Sequence, residues 1–218
     1  MRIRITFGKQ GALRYTGHLD LHKLWERTAR RAGLPLAYSR GFHPQPKINL
    51  ASALPLGFSS RAEVMDMWLE GDTPLEGICE RLQASLPSGI QVLNVEGVEE
   101  RASALQAQVI AAEYEVTLTE PVDVSELKRK VHSILASQTL PRQRRGKGYD
   151  LRPLIEEITL SSSPFPTEDE LGVRVLMRLS AREGATGRPE EVLDALGIPA
   201  ETTRIERTRL IFRSQSVQ

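Results

Sequence analysis

The chain has a single cysteine, Cys79, in 218 residues. One thiol excludes an internal disulfide framework and any metal or cluster site built on several thiolates. Cys79 sits among apolar residues at helical spacing and is expected to be a small core residue. Aromatic residues make up only 5 % of the chain, so cores must rest on Leu, Val, Ile and Ala. No apolar run approaches the ~20 residues of a membrane-spanning helix. Acids are nearly missing from residues 1–50. There, Asp20 and Glu26 stand against ten cations, Arg2, Arg4, Lys9, Arg14, Lys23, Arg27, Arg30, Arg31, Arg40 and Lys47, a balance of +8. Residues 51–100 reverse this: Arg61 and Arg81 face nine carboxylates, a balance of −7. The formal net charge of +1 conceals both. Separated charge bears on partners more than on fold. The basic front end points to an anionic partner, RNA first.

The length allows one large domain or two small ones. Residues 2–7 alternate apolar and polar, as a half-buried strand does. The opening has no hydrophobic leader core, so a cytoplasmic protein is expected. A turn at 8–11 follows, with 12–15 extending the strand. Leu21, Leu24, Trp25, Thr28 and Ala32 predict a helix over 18–32, with Gly33 placed to stop it. Residues 34–39 and 47–53 are strand candidates, joined by a Pro-rich turn. Residues 61–70 alternate again. Thr73-Pro74-Leu75-Glu76 has the form of a capping box with Pro at the first helical position, which predicts a helix to about residue 86. Residues 90–95 close the first half.

The same order recurs. Strands are predicted over 112–118, 151–160, 172–180 and 203–212. Asp123-Val124-Ser125-Glu126 is a second capping box, opening a helix to about 137. Pro189 opens another, which Gly197 ends. βαββαβ twice over predicts an α+β protein: two tandem ferredoxin-like units with antiparallel four-stranded sheets. The expected domains are 1–98, with the basic helix and the turn, and 110–218, with a basic loop at 138–150. Residues 99–110 connect them. The 138–150 stretch is long, polar and basic, which predicts a mobile loop. Residues 161–170 form an acidic, Pro-containing loop.

Several clusters invite a chemical reading. Lys23, Arg27, Arg30 and Arg31 lie on and around one side of the first helix. They are either a solvated face or a set of phosphate contacts. Arg142, Arg144, Arg145 and Lys147, with Tyr149 as a ring able to stack on a base, form a second basic cluster. In the turn Ser39 to Lys47, glycine and prolines stiffen the backbone. Phe42 is expected to plug the core, while Arg40, His43 and Lys47 are displayed to an anion. Arg14, Tyr15 and His18 complete the candidate RNA-binding set. His18, Asp20 and His22 suggest a metal at first sight, but Asp20 points away from the histidines on a helix, so no metal or cofactor is expected. The loop 184–189 lacks the Lys-Ser/Thr of a nucleotide loop and reads as a plain turn into a helix. By analogy with the tandem ferredoxin-like endoribonucleases that process CRISPR RNA, Tyr15, His18, His43 and Lys47 could form a metal-independent set with an imidazole as base.

Longer runs carry a resemblance. They are Thr16-Gly17-His18-Leu19-Asp20, Arg30-Arg31-Ala32-Gly33-Leu34-Pro35, Tyr38-Ser39-Arg40-Gly41-Phe42-His43-Pro44-Gln45-Pro46-Lys47 and Ala53-Leu54-Pro55-Leu56-Gly57. Ala111-Ala112-Glu113-Tyr114-Glu115-Val116 and Asp150-Leu151-Arg152-Pro153-Leu154-Ile155 follow. Together they resemble the bacterial radical-SAM-linked protein family, over nearly the whole chain. The family has no assigned activity. The resemblance implies a partner, a radical SAM protein of cobalamin type, and an RNA or ribosome context. Many relatives carry Asn where this chain has His43. The chain has no Cys-x-x-x-Cys-x-x-Cys, so any radical chemistry belongs to the partner. The expectation is a non-catalytic RNA-binding or substrate-presenting accessory protein, its RNA a tRNA or rRNA. The alternatives are the endoribonuclease and a protein-docking domain that touches no RNA.

Overall fold

The structure, a computed structural model, describes residues 1–144, 146–162 and 173–213. The described chain divides into two compact units, Met1–Val109 with Arg213, and Ile110–Phe212. No helix among the described residues is long and apolar enough to cross a membrane.

In the first unit, β1 (Arg2–Lys9) leads through a 3-10 turn at Gly11–Tyr15 into α1 (His18–Arg31). β2 (Ile48–Leu50), β3 (Ser59–Trp68), α2 (Ile78–Ser85), β4 (Ile90–Val98) and a short α3 (Leu105–Gln108) follow. The sheet order is β2-β3-β1-β4, every pair antiparallel. β1 alternates for a physical reason. Ile3, Ile5 and Phe7 face the helices and join Leu21, Trp25, Ala29 and Leu82 in one core. Phe7 meets Trp25 edge to face at 4.8 Å. Arg2 and Arg4 point to the other face, where Asp66 lies directly opposite Arg4.

In the second unit, β5 (Val109–Leu118) and α4 (Val124–Ala136) precede a hairpin, β6 (Pro141–Arg144) and β7 (Lys147–Asp150). Then come β8 (Ile155–Ser162), β9 (Val173–Arg182), β10 (Ala185–Thr186), α5 (Pro189–Leu196) and β11 (Thr203–Phe212). β9 pairs antiparallel with β5 and β8, and β11 neighbours β5. The result is a mixed α+β protein whose strands pair mostly antiparallel.

Several expectations are corrected. Residues 12–15 form a 3-10 turn, not a strand extension. Residues 34–39 make only isolated bridges, Leu36 with Leu69 and Tyr38 with Pro46. Thr73 does not cap α2. That helix starts after Gly77, whose φ of +74° is incompatible with a continuous helix from Pro74, and it has no side-chain cap. Asp123, by contrast, caps α4 by accepting from the backbone amides of Ser125 and Glu126 at 2.8 and 3.1 Å. The expected mobile loop at 138–150 contains the β6–β7 hairpin. Gly146, at φ +77°, turns the chain, and Asp150 Oδ1 ties its base by accepting from the amides of Leu140 and Arg152. The acidic loop lies, from residue 163 on, outside the described residues.

Candidate nucleic-acid interface

The front-end cations fall into two classes. Arg2 and Arg4 both grip Asp66. Arg2 Nε donates to Oδ2 at 3.0 Å and Arg4 Nε to Oδ1 at 2.8 Å. Asp66 and Arg2 are buried, and Arg2 also donates to the carbonyls of Ala102 and Ser103. These two arginines are structural. Lys9 is buried as well, within reach of the carbonyls of Arg14 and Thr16. Arg30 is engaged by Glu26 at 2.7 Å and by the Tyr38 hydroxyl at 2.8 Å. The Tyr38 hydroxyl, then Glu26, holds the Arg30 guanidinium charged above its usual range.

Lys23, Arg27 and Arg31 are exposed and make no ion pair among the described residues. They recur at i, i+4 and i+8 on α1. With Thr16, Asp20, Leu24 and Pro87 they line a shallow groove along the helix. The amphipathic pattern puts them there: Leu21, Trp25, Thr28 and Ala29 take the buried side, which turns this stripe outward.

The Arg40–Lys47 turn does not plug the core. Phe42 is 101 % exposed, and Arg40, His43 and Lys47 are exposed with it. The Leu36 and Tyr38 bridges hold the two limbs at the sheet end, and the core there is filled by Leu34, Leu36 and Ile48. The ring is left beyond that closed end. Lys47 stands near Glu100, whose carboxyl is held below its usual range by the N-terminal amine first and by Lys47 in lesser part.

At the other end of α1, the Arg14 guanidinium lies over the Tyr15 ring at 4.8 Å, and Tyr15 is 63 % exposed. The His18 imidazole is pushed below its usual range by desolvation and then by His22. His22 itself bonds the Ile48 carbonyl at 3.1 Å. The helix between the two ends has 14 residues, about 21 Å at 1.5 Å per residue. Tyr15 and His18 therefore flank its start. Lys47, whose carbonyl accepts from Trp68 N, sits at the sheet end where Trp68 pairs with Arg2.

The second basic cluster is held by carboxylates that the sequence reading missed. Arg144 makes two bonds to Glu191 on α5, 2.9 and 2.7 Å, and its guanidinium lies 5.0 Å from the Tyr149 ring. Arg142 approaches Asp194 at 3.7 Å. Burial first, then the neighbouring Glu191 carboxylate, pushes the Tyr149 phenol up to about 12. Burial raises the Glu191 carboxyl, but Arg144 and Tyr149 outweigh it and the net shift is downward. Lys147 remains exposed, and Arg145 lies outside the described residues. Glu191 and Asp194 sit three apart on one helix face, the one signal available. Nothing local joins Glu191 to Arg144, 47 positions away.

With this geometry in hand, the chain can be set beside known proteins. A family model described as an uncharacterized protein conserved in bacteria, DUF2344, matches residues 2–189. The chain belongs to this family. No curated protein matches it. Among solved structures, a chain from a Cbf5-Nop10-Gar1 complex is similar at a TM-score of 0.51 and 13 % identity, over 95 % of this chain and 48 % of that one. The DUF2344 protein thus spans about half the length of that chain. Similarity at this identity supports the mixed α+β fold alone. A Shewanella oneidensis protein assigned to the dyp-type peroxidases overlaps 98 % of this chain and 92 % of its own at 9 % identity, but its TM-score of 0.22 carries no argument.

Proposed function

We propose that the protein is a non-catalytic RNA-binding component that presents an RNA, a tRNA or rRNA segment, to a radical SAM partner of cobalamin type. The observation that carries the RNA reading is which cations stay unpaired. Lys23, Arg27 and Arg31 have no carboxylate partner among the described residues, while Arg142 and Arg144 of the hairpin do. Four helical residues advance about 6 Å. Each cation along α1 is thus offered to a separate phosphate of a strand laid in the groove. Such contacts fix an RNA in place without reading its bases, which suits a presenter. The partner is argued from the resemblance, and a chain with one cysteine leaves the cluster chemistry to that partner. We take the β4-β1-β3-β2 order of the first unit, and its counterpart β11-β5-β9-β8 in the second, as the ferredoxin-like plan. A cytoplasmic location fits that role.

The test is fluorescence anisotropy of a labelled RNA across a salt series. A single strand loses about 0.7 in log–log slope for each phosphate contact removed. Lys23→Ala with Arg27→Ala and Arg31→Ala should flatten the slope by about 2 and leave the melting temperature nearly unchanged, as exposed substitutions do. An unchanged slope would mean that RNA does not run along α1. No binding even at low salt removes RNA altogether and leaves a protein-docking domain.

A further inference from the structure

We infer that Phe42 is a base-stacking platform and that the RNA this protein takes is unpaired where it meets the turn. The inference rests on the RNA-binding reading above and adds the class of RNA. A phenylalanine normally leaves water when the chain folds. Here it is fully exposed, and the turn carrying it is braced. The Ser39 amide donates to the Gln45 carbonyl at 2.8 Å, and the Gln45 amide donates to Ser39 Oγ at 2.9 Å. Below these, Tyr38 bridges to Pro46, and its hydroxyl receives both Nε and Nη2 of Arg30. Gly41, at φ +136°, permits the bend just before the ring. A braced turn that holds an apolar ring in water is organised for an occupant.

Charge selects that occupant. Arg40 and His43 flank the ring, with no acid in the chain between Glu26 and Glu63, and Lys47 stands at the base, shared with Glu100. An acidic or purely apolar protein surface would not need both elements at once. A nucleotide does: the base covers the ring and its phosphate meets the cations. A base inside a duplex has both faces stacked on neighbours, so only an unpaired base presents one to Phe42. Arg30, in the last turn of α1, touches the turn through Tyr38. The stacking ring and the Arg31 end of the cationic stripe thus belong to the same end of the unit.

The experiment measures binding of a labelled, mixed-sequence RNA single strand and of the same strand annealed to its complement. Wild type, Phe42→Ala, Phe42→Trp and the Lys23/Arg27/Arg31 triple alanine variant are compared. Phe42→Ala should weaken single-strand binding by roughly 5- to 140-fold, the equivalent of about 1–3 kcal/mol for one stacked base. Duplex binding, salt slope and melting temperature should stay at wild-type values, and Phe42→Trp should retain affinity. If Phe42→Ala binds the single strand as wild type does while the triple variant loses it, the RNA reading stands and the stacking inference is overturned. Equal losses on single strand and duplex also overturn it, because the turn would then contact backbone. Should the triple variant bind RNA unchanged as well, the RNA reading fails with it.

Discussion

Asp66 accepts from two guanidiniums inside the first unit. An arginine as buried as Arg2 is tolerable only with its charge answered. Asp66→Ala should therefore destabilise the protein by about 3–5 kcal/mol in urea unfolding, the usual penalty for orphaning a buried ion. A loss below ~1 kcal/mol would show that water reaches Arg2 in solution. Tyr149 offers a second residue-scale test. Its phenol is pushed from 10.0 to about 12 by burial and by Glu191. A folded-state pKa above the unfolded one gives a stability contribution present below pH 10 and lost as pH rises through about 12. Glu191, held low by Arg144 despite its burial, works the other way: its contribution is present above the ordinary carboxylate range and lost on acidification. A phenolate absorbance titration, read as wild type minus Tyr149→Phe, should place the Tyr149 step near pH 12. A step near 10 would mean that the hairpin does not stay on α5.

Two segments with the same capping signature ended differently, and the difference is measurable. Asp123 accepts two amides at the start of α4, whereas α2 begins beyond Gly77 with no side-chain cap. Asp123→Ala should cost ~1 kcal/mol. Thr73→Ala should stay within about 0.5 kcal/mol, as for an ordinary surface change. Equal costs in paired chemical-denaturation curves would show that Thr73 caps a helix in solution. Both signatures looked alike because a capping box is local. Whether it starts a helix depends on what the next turn can bury, and Leu75 stays 40 % exposed. The hairpin teaches the converse. Residues 141–150 are polar and basic, with no apolar alternation to announce strands. Their order comes from Glu191 and Asp194, contacts that no window of sequence contains.

For the whole molecule, the separation of +8 and −7 within the first hundred residues does not translate directly into surface. Arg2 and Arg4 take Asp66 to the interior, and Glu26 holds Arg30. The surplus that survives is the α1 stripe and the Arg40–Lys47 turn. On the proposed function, ultraviolet cross-linking to RNA should recover peptides spanning residues 23–47 in preference to those of the 141–150 hairpin. Cross-links confined to the hairpin would move the interface to the second unit. The amino-acid sequence alone determined the α+β class, the extents of α1, α4 and α5, and most strands. Those follow from period-two and period-3.6 patterns and from Gly33, Asp123, Pro189 and Gly197 at helix ends, all of which act within a few residues. Only the tertiary structure decided which charges were free and that Phe42 faces water. An ion pair forms between residues far apart in the chain, and a ring is buried only if the packed core has room for it. Leu34, Leu36 and Ile48 had already closed that end.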